Sequence, residues 1–334
     1  MSIKDLSVVL SGLEASTDAF GTQATMTKKW LGVAEASITP MIESEILPEL
    51  RGSLQPGFKT IIKSKSGEAK VSGVVTYAGI VYALEGLFGT VTPGAVDTDA
   101  CYDRVYAAPT IASVSPRRYS ILYGDSDNYY CLTGATVSKL GIKGETGGPV
   151  EYDLEFIGKA VTASGYLSDV ADSDPVTSVA MGGQCALWID PGSDALGTTP
   201  ITTTGFSFDL SIDPKRALKY HLGAYTPDST YDQKWEGELK LVLEVTSAMK
   251  TILDATIAPS ANVNKNVRIK MTNPDIPLEA LQLDFGGVIL EAPEFFSDED
   301  GIVTVELTLK GLATEGTTYN WLGVTSNSKL ATVV

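Results

Sequence analysis

The sequence contains an internal repeat, which constrains the fold more than any other feature. Residues 67–84 (GEAKVSGVVTYAGIVYAL) align without a gap with residues 237–254 (GELKLVLEVTSAMKTILD), at an offset of 170. Six positions are identical in the two segments, beginning with Gly67 and Gly237. A chain of 334 residues is long enough for two domains that each bury a core. The repeat therefore indicates a duplicated domain.

Each copy of the repeat changes its hydrophobic period partway along. In the second copy the apolar side chains first alternate with polar ones, as in a half-buried strand: Leu239, Leu241, Leu243 and Val245. They then recur at three- and four-residue steps, as on a helix: Met249, Ile252, Leu253 and Ile257. Ser247 is placed to cap this helix. The first copy continues similarly with Ile80, Val81, Leu84, Leu87 and Phe88, so each copy predicts a strand that runs into a short helix.

A second matched pair follows the first. Residues 148–160 (GPVEYDLEFIGKA) match residues 301–313 (GIVTVELTLKGLA) at an offset of 153, and both alternate like strands. The order strand–helix–strand is therefore kept in both halves. The smaller offset indicates an insertion in the first half, which we place at residues 90–108 because that segment is rich in loop residues.

These patterns predict a mainly β protein of two tandem domains, each with a short flanking α-helix. The first domain covers residues 1–165, with the insertion near 90–108, and the second covers residues 175–334. The polar segment 163–177 separates them.

Composition excludes several classes of protein. Asp and Glu number 41 against 25 Lys and Arg, and the net charge of −16 opposes sequence-specific binding of nucleic acid. The three cysteines are widely spaced, which argues against a disulfide framework. We find neither a secretory signal nor an apolar run long enough to span a membrane, and expect no membrane association.

No motif indicates catalysis, a cofactor or a metal. His221 is the only histidine, and neither a CxxC pair, a Gly-x-Ser-x-Gly elbow nor a phosphate-binding loop is present. Residues 125–128 and 298–301 carry clustered oxygen ligands that could form a calcium loop, but both lack the distal glutamate of an EF-hand and are typical of tight turns. We therefore assign no catalytic, cofactor-binding or metal residues.

The strand-to-helix units 67–88 and 237–257, the hairpins 133–158 and 281–311 and the uncharged C-terminus resemble the major tail tube proteins of long-tailed, non-contractile bacteriophages. The resemblance implies a β-sandwich or half-barrel flanked by a helix, with one sheet of each domain lining a tube. Single-domain members form hexameric rings. A duplicated chain would thus form a trimeric ring with pseudo-sixfold symmetry.

Two sets of residues are candidates for roles in such a tube. Polar residues of the matched strands would face the lumen: Glu151, Asp153 and Glu155, with Thr304, Glu306 and Thr308 as counterparts. An ordinary solvated outer face is the alternative. Segments 47–63 and 218–234, rich in Gly, Pro and Tyr, would be loops that reach the adjacent ring. Their candidate contact residues are Arg51, Gln55, Phe58, Tyr220, Tyr225 and Tyr231.

The resulting expectation is a structural virion protein without enzymatic activity. It would be assembled in the host cytoplasm, would bind copies of itself and the tape-measure, tail terminator and tail-tip proteins, and would let genomic DNA pass without specific binding. Two alternatives remain at this stage: another tandem β-sandwich virion module, such as a decoration or adhesion protein, and a glycoside-active enzyme that uses paired carboxylates.

Overall fold

The computed structural model describes most of the chain. The described residues are 8–15, 19–30, 32–47, 59–98, 100–109, 115–125, 129–163, 178–192, 196–198, 200–201, 206–246, 250, 254, 264–290, 295–299, 302–312, 321–331 and 333. The boundary that we predict between the two domains, the cap Ser247 and most of the second predicted helix lie outside these residues.

The first half of the chain contains nine strands and one α-helix among its described residues. They are β1 (Val8–Leu13), β2 (Lys28–Lys29), β3 (Val33–Leu47), β4 (Lys59–Val74), α1 (Ile80–Phe88), β5 (Tyr102–Ala107), β6 (Tyr119–Gly124), β7 (Tyr129–Glu145), β8 (Glu151–Gly158) and β9 (Ala160–Ala163).

The second half begins with a short 3-10 helix (Gly182–Gln184) and continues with eleven strands among its described residues. They are β10 (Cys185–Pro191), β11 (Pro200–Ile201), β12 (Phe206–Asp213), β13 (Ala217–Lys219), β14 (Ser229–Tyr231), β15 (Glu236–Glu244), β16 (Asn264–Thr272), β17 (Ala280–Ile289), β18 (Phe295–Glu299), β19 (Ile302–Gly311) and β20 (Leu322–Ser328). The prediction of a mainly β protein is confirmed.

One antiparallel sheet, here called the long sheet, runs through both halves. Its strands follow the order β3–β4–β8–β7–β12–β15–β19–β18. The halves join where β7 pairs with β12, with Ile142 opposite Leu210. Strand β15 alternates as predicted, with Leu239, Leu241 and Leu243 buried.

Two smaller sheets cover one side of the long sheet. In the first half the order is β2–β1–β6–β7–β9, since β7 is long enough to belong to both sheets. In the second half the order is β11–β10–β16–β17–β20–β5. Helix α1 is buried along its whole length, as its apolar pattern predicts. A single cluster of buried apolar side chains includes members of both halves.

The two matched strands of the sequence repeat carry pairs of glycines in similar surroundings. Gly67 lies opposite Gly158, and a Cβ on either would approach Leu132 of the covering sheet to within 2.7 Å. In the second half, a Cβ on Gly237 or Gly311 would lie 2.5 Å from the ring of Trp321. Only glycine lets a large side chain of the covering sheet come this close.

The predicted insertion connects the two halves. Its strand β5 pairs with β20 and so extends the covering sheet of the second half. The side chain of Arg104 in β5 is fully buried, and its Nε lies 3.7 Å from Oε1 of Glu85 in α1. Its Nη2 donates a hydrogen bond to the Ala331 carbonyl. Loss of either partner of such a buried ion pair would leave an unpaired charge in the core and destabilise the fold. The insertion is therefore part of the interface between the halves.

Candidate functional site

The uncovered side of the long sheet, here called its open face, carries the predicted lumen residues of the first half. In β8, Tyr152, Leu154 and Phe156 are buried, whereas Glu151, Asp153 and Glu155 point to the opposite side and are partly or fully exposed. The period of two that the sequence predicts is therefore present. It places the three carboxylates on one face.

The second-half counterparts follow this pattern only in part. Glu306 is exposed and Thr308 is half-buried on the open face of β19. Thr304, however, is 8% exposed, while its neighbour Val303 is 42% exposed, so the predicted alternation is wrong at this end of the strand. The register between β18 and β19 shifts beside these residues, between Phe295 and Ser297 of β18.

Lysines of neighbouring strands neutralise two of the three first-half carboxylates. Lys70 Nζ lies 2.9 Å from Glu155 Oε1, and Lys143 Nζ lies 3.2 Å from Glu151 Oε2. These hydrogen bonds raise the pKa of each lysine. Asp153 lies between the two pairs, opposite Gly141 and Ser72. No local pattern in the sequence marks either lysine as a partner, because each becomes a neighbour of its carboxylate only through the register of the sheet.

Acidic side chains still outnumber lysines on the open face. The acidic residues are Glu35, Glu68, Glu145, Glu151, Asp153, Glu155, Asp209, Asp213, Glu236, Glu238, Glu244 and Glu306, and the lysines are Lys70, Lys139, Lys143, Lys240 and Lys310. A surface with this balance repels polyanions, and the paired lysines offer phosphates few free charges.

Strands β3 and β4 extend beyond the sheet as a hairpin, here called the first arm (residues 40–47 and 59–67). Segment 47–63 is predicted as a loop, but its last five residues belong to β4. Its predicted contact residues Arg51, Gln55 and Phe58 lie outside the described residues. Ile42, Ile46 and Ile62 share one side of this arm, and the first two are 60% exposed. Glu43, Glu45 and Lys63 occupy the other side, where Lys63 pairs with both glutamates.

The segment between β12 and β15, here called the second arm (residues 214–235), contains the β13–β14 hairpin. The predicted contact residues Tyr220, Tyr225 and Tyr231 are exposed in it. The arm lies against the first half of the same chain, because the Lys65 amide donates to the Tyr225 carbonyl at 2.7 Å. His221 is exposed and pairs with Asp228 of the same arm.

Arg216 fixes the base of the second arm. Its side chain is fully buried, and its guanidinium donates to the carbonyls of Gly86 and Leu87 at the end of α1 and to that of Val137 in β7. Asp232, near the other end of the arm, accepts two hydrogen bonds from the same group. The carbonyls at the C-terminal end of a helix carry partial negative charge, which stabilises the positive guanidinium of Arg216. No sequence motif indicates this contact.

The long sheet has an open strand at each end. Among the described residues, β3 pairs only with β4, and β18 pairs only with β19. An exposed strand edge presents unpaired backbone groups that favour association with another strand. Within the described part of the chain, no group of three or more metal-ligating side chains is present, and no helix is long and apolar enough to cross a membrane.

A family model described as "Phage tail tube protein" matches residues 6–311, which is most of the chain. The chain belongs to the phage tail tube protein family. A search of curated proteins finds no match.

As a tail tube family member the protein is a structural component of the virion tail. The family supports self-assembly into a tube and favours a structural role over an enzymatic one. The open strand edges and the exposed arms are surfaces suited to such assembly.

Proposed function

We propose that three copies of this chain close into a ring with pseudo-sixfold symmetry, and that stacked rings form the tail tube through which DNA is ejected. The two halves are two tube domains of similar construction, residues 1–165 and 175–334. Each ring then contains six such domains on three chains.

The observation that carries this proposal is the β7–β12 pairing inside one chain. It joins the last long-sheet strand of the first half to the first long-sheet strand of the second half, over the register from Ser207–Glu145 to Ile212–Leu140. Strands β18 and β3 hold the equivalent positions at the two ends of the long sheet. Pairing of β18 in one copy with β3 in the next would repeat the internal junction and leave no open edge.

In such a ring the open face would line the channel. The excess of carboxylates would repel the phosphates of passing DNA, and four of the five lysines would be held by Glu151, Glu155 and Glu238. Glu151, Asp153, Glu155, Glu306 and Thr308 would then contact the channel, whereas the buried Thr304 would not. DNA would pass without sequence-specific binding, and the chain would catalyse no reaction.

The remaining parts of the proposal concern the tail as a whole. Rings would stack through the arms, assemble in the host cytoplasm, and meet the tape-measure protein inside the tube and the terminator and tail-tip proteins at its ends.

Electron microscopy of the purified protein tests the core of the proposal. We expect rings or tubes of uniform width. A protein that stays monomeric at all concentrations, or forms only closed dimers, would refute it.

A further inference from the structure

We propose that the residues preceding β1 (1–7) in one copy insert as a strand between Val245 and Val303 of the adjacent copy in the ring. The proposal rests on the ring proposed under the function and names a contact between its chains. The occupant is a second copy of this chain. The template for the contact is the segment that leads into the second half, residues 178–182, here called the crossing segment.

The crossing segment is part of the first half's sheet, although it leads into the strands of the second half. It runs between the end of β4 and the start of β8. On one side the Ala180 amide donates to the Val75 carbonyl at 2.9 Å, and on the other the Val150 amide donates to the Ala180 carbonyl at 2.8 Å. Val75, Val150 and Ala180 are all 0% exposed. One half therefore contributes a strand that pairs and covers the strand ends of the other.

The second half has the same two strand ends. Val245 and Val303 are the repeat partners of Val75 and Val150, at the offsets of 170 and 153. The Val245 amide donates to the Val303 carbonyl at 2.9 Å, just as the Val75 amide donates to the Val150 carbonyl at 2.7 Å. The backbone at this end of the second half is thus built like the place that receives the crossing segment.

Among the described residues, no segment fills this place in the second half. The hydrogen bonds of the described residues do not include the reciprocal bond from the Val303 amide to the Val245 carbonyl, so the strand ends separate as they do around the crossing segment. Val303 is 42% exposed and Val245 is only partly buried, whereas their first-half partners are fully buried. An exposed valine beside separated strand ends favours the addition of a further strand.

The segment before β1 is the counterpart of the crossing segment. Strand β1 pairs with β6 and β6 with β7, as β10 pairs with β16 and β16 with β17. Val9 and Leu187 are the first buried core residues of β1 and β10. Ala180 lies seven residues before Leu187, and Ser2 lies seven residues before Val9. Residues 1–7, which lie outside the described residues, are therefore long enough to fill the place beside Val303.

The direction of the crossing selects the copy that donates the strand. Within a chain the long sheet continues from the first half into the second through the β7–β12 pairing, and the second half sends its crossing segment back onto the first. In the proposed ring, the half that follows β18 is the first half of the next copy. Its residues 1–7 would bury Val303 as the crossing segment buries Val150. Every junction of the ring would then contain one strand pairing and one inserted strand.

Disulfide trapping tests this contact. Met181 of the crossing segment lies directly opposite Pro149. Ile3 and Ile302 hold the equivalent positions, so mild oxidation of assembled Ile3→Cys/Ile302→Cys protein should link each copy to the next. Because a ring closes after three copies, the non-reducing gel should show a ladder that ends at three chains. A disulfide inside each chain, or a ladder that extends well beyond three chains, would overturn the proposal.

Pro149 provides the matched control. In Ile3→Cys/Pro149→Cys the target position is already occupied by Met181 of the same chain, so no ladder should form. A ladder equal to that of the test variant would overturn the proposal. Pro149→Cys/Met181→Cys should form a disulfide inside each chain, which checks the geometry of the template. Each single variant reports on the native cysteines, which are Cys101, Cys131 and Cys185.

Deletion of residues 2–7 gives a second measurement. It should raise the protein concentration needed for ring formation by about tenfold or more, because each junction loses the hydrogen bonds of one strand. Urea unfolding of the isolated chain should not change. Rings of the test variant without a ladder, or truncated protein that assembles at the wild-type concentration, would overturn the inserted strand and leave the ring intact. Failure of the unmodified protein to form rings would overturn both proposals.

Discussion

Arg216 and Asp232 form a two-point ion pair at the base of the second arm, with Nε 2.6 Å from Oδ1 and Nη2 3.2 Å from Oδ2. Both side chains are almost completely buried. The remaining guanidinium N–H groups bind carbonyls of α1 and β7, and Trp235 donates to the same carboxylate. The pair therefore connects a segment of the second half to the helix of the first.

Replacement of Arg216 by Met should destabilise the protein by about 3 kcal/mol or more, because it leaves the buried Asp232 carboxylate without its cation. Urea unfolding measures the free energy. The double variant Arg216→Met/Asp232→Asn should recover part of the loss, since it removes the unpaired charge as well.

Lys215→Met is the control for this experiment. Lys215 is an exposed neighbour whose ion pairs with Asp213 and Glu236 are in solvent, and its loss should change stability little. An Arg216→Met variant that unfolds at the same urea concentration as the wild type would contradict the role we assign to the ion pair.

Alanine at Gly67 or Gly237 should destabilise the protein by about 1–3 kcal/mol through overpacking. The new Cβ would lie 2.5 Å from Leu132 Cδ1 in the first case and 2.5 Å from Trp321 Cζ3 in the second. Thermal unfolding should show a similar loss for both. Gly183→Ala is the control, because nothing lies within 4 Å of its added Cβ. Equal stability of all three variants would contradict the equivalence of the two glycine sites.

Glu155→Gln should make the open face retain DNA. The substitution removes the carboxylate that holds Lys70 Nζ at 2.9 Å, so the lysine becomes free to bind phosphate. We expect tubes that assemble normally and phage that eject DNA more slowly, as measured by the release rate after receptor addition. Glu155→Gln/Lys70→Gln removes both charges and should restore the rate. Equal rates in all three phages would show that the open face does not line the channel.

Glu14 should make stability depend on pH. Burial raises the pKa of its carboxyl above the ordinary value of 4.5, although hydrogen bonds from the Gly134 amide and the Ser120 hydroxyl oppose this. The folded protein then binds a proton more tightly than the unfolded chain, so this contribution to stability is complete below 4.5 and is lost as the pH rises through the folded pKa.

A Glu14→Gln variant cannot ionise at this position. Its free energy of unfolding relative to the wild type should therefore rise as the pH increases from about 4 to 8, which urea titrations at several pH values measure. Glu306→Gln, which changes an exposed carboxylate of the open face, is the control. A difference between Glu14→Gln and wild type that stays constant over this range would contradict the prediction.

Local patterns in the sequence predicted the local structure well. The alternation of Tyr152, Leu154 and Phe156 predicted β8, and the spacing of Leu84, Leu87 and Phe88 predicted α1. Strand β3 was missed. Its core-facing side carries the half-buried Ala36 and the exposed Pro40, which weaken the contrast between the two sides of the strand.

Contacts between distant segments were beyond sequence reasoning. Lys70 and Glu155 are 85 residues apart, and Arg216 and Gly86 are 130 residues apart, so neither pair is visible without the sheet register. The exposure of Val303 and the burial of Thr304 reverse the local alternation of the sequence, and no local pattern marks this reversal. The sequence repeat predicted that β4 and β15, and β8 and β19, are equivalent strands, and the structure added which charged side chains pair on them.

The rotational symmetry of a single ring tests the central claim most directly. A density map of the assembled tube, resolved to individual strands, should show three chains per ring, with a β7–β12 junction inside each chain alternating with a β18–β3 junction between chains. The density should look sixfold at low resolution and become threefold when the two arms are resolved. Six chains in each ring related by true sixfold symmetry would contradict the account.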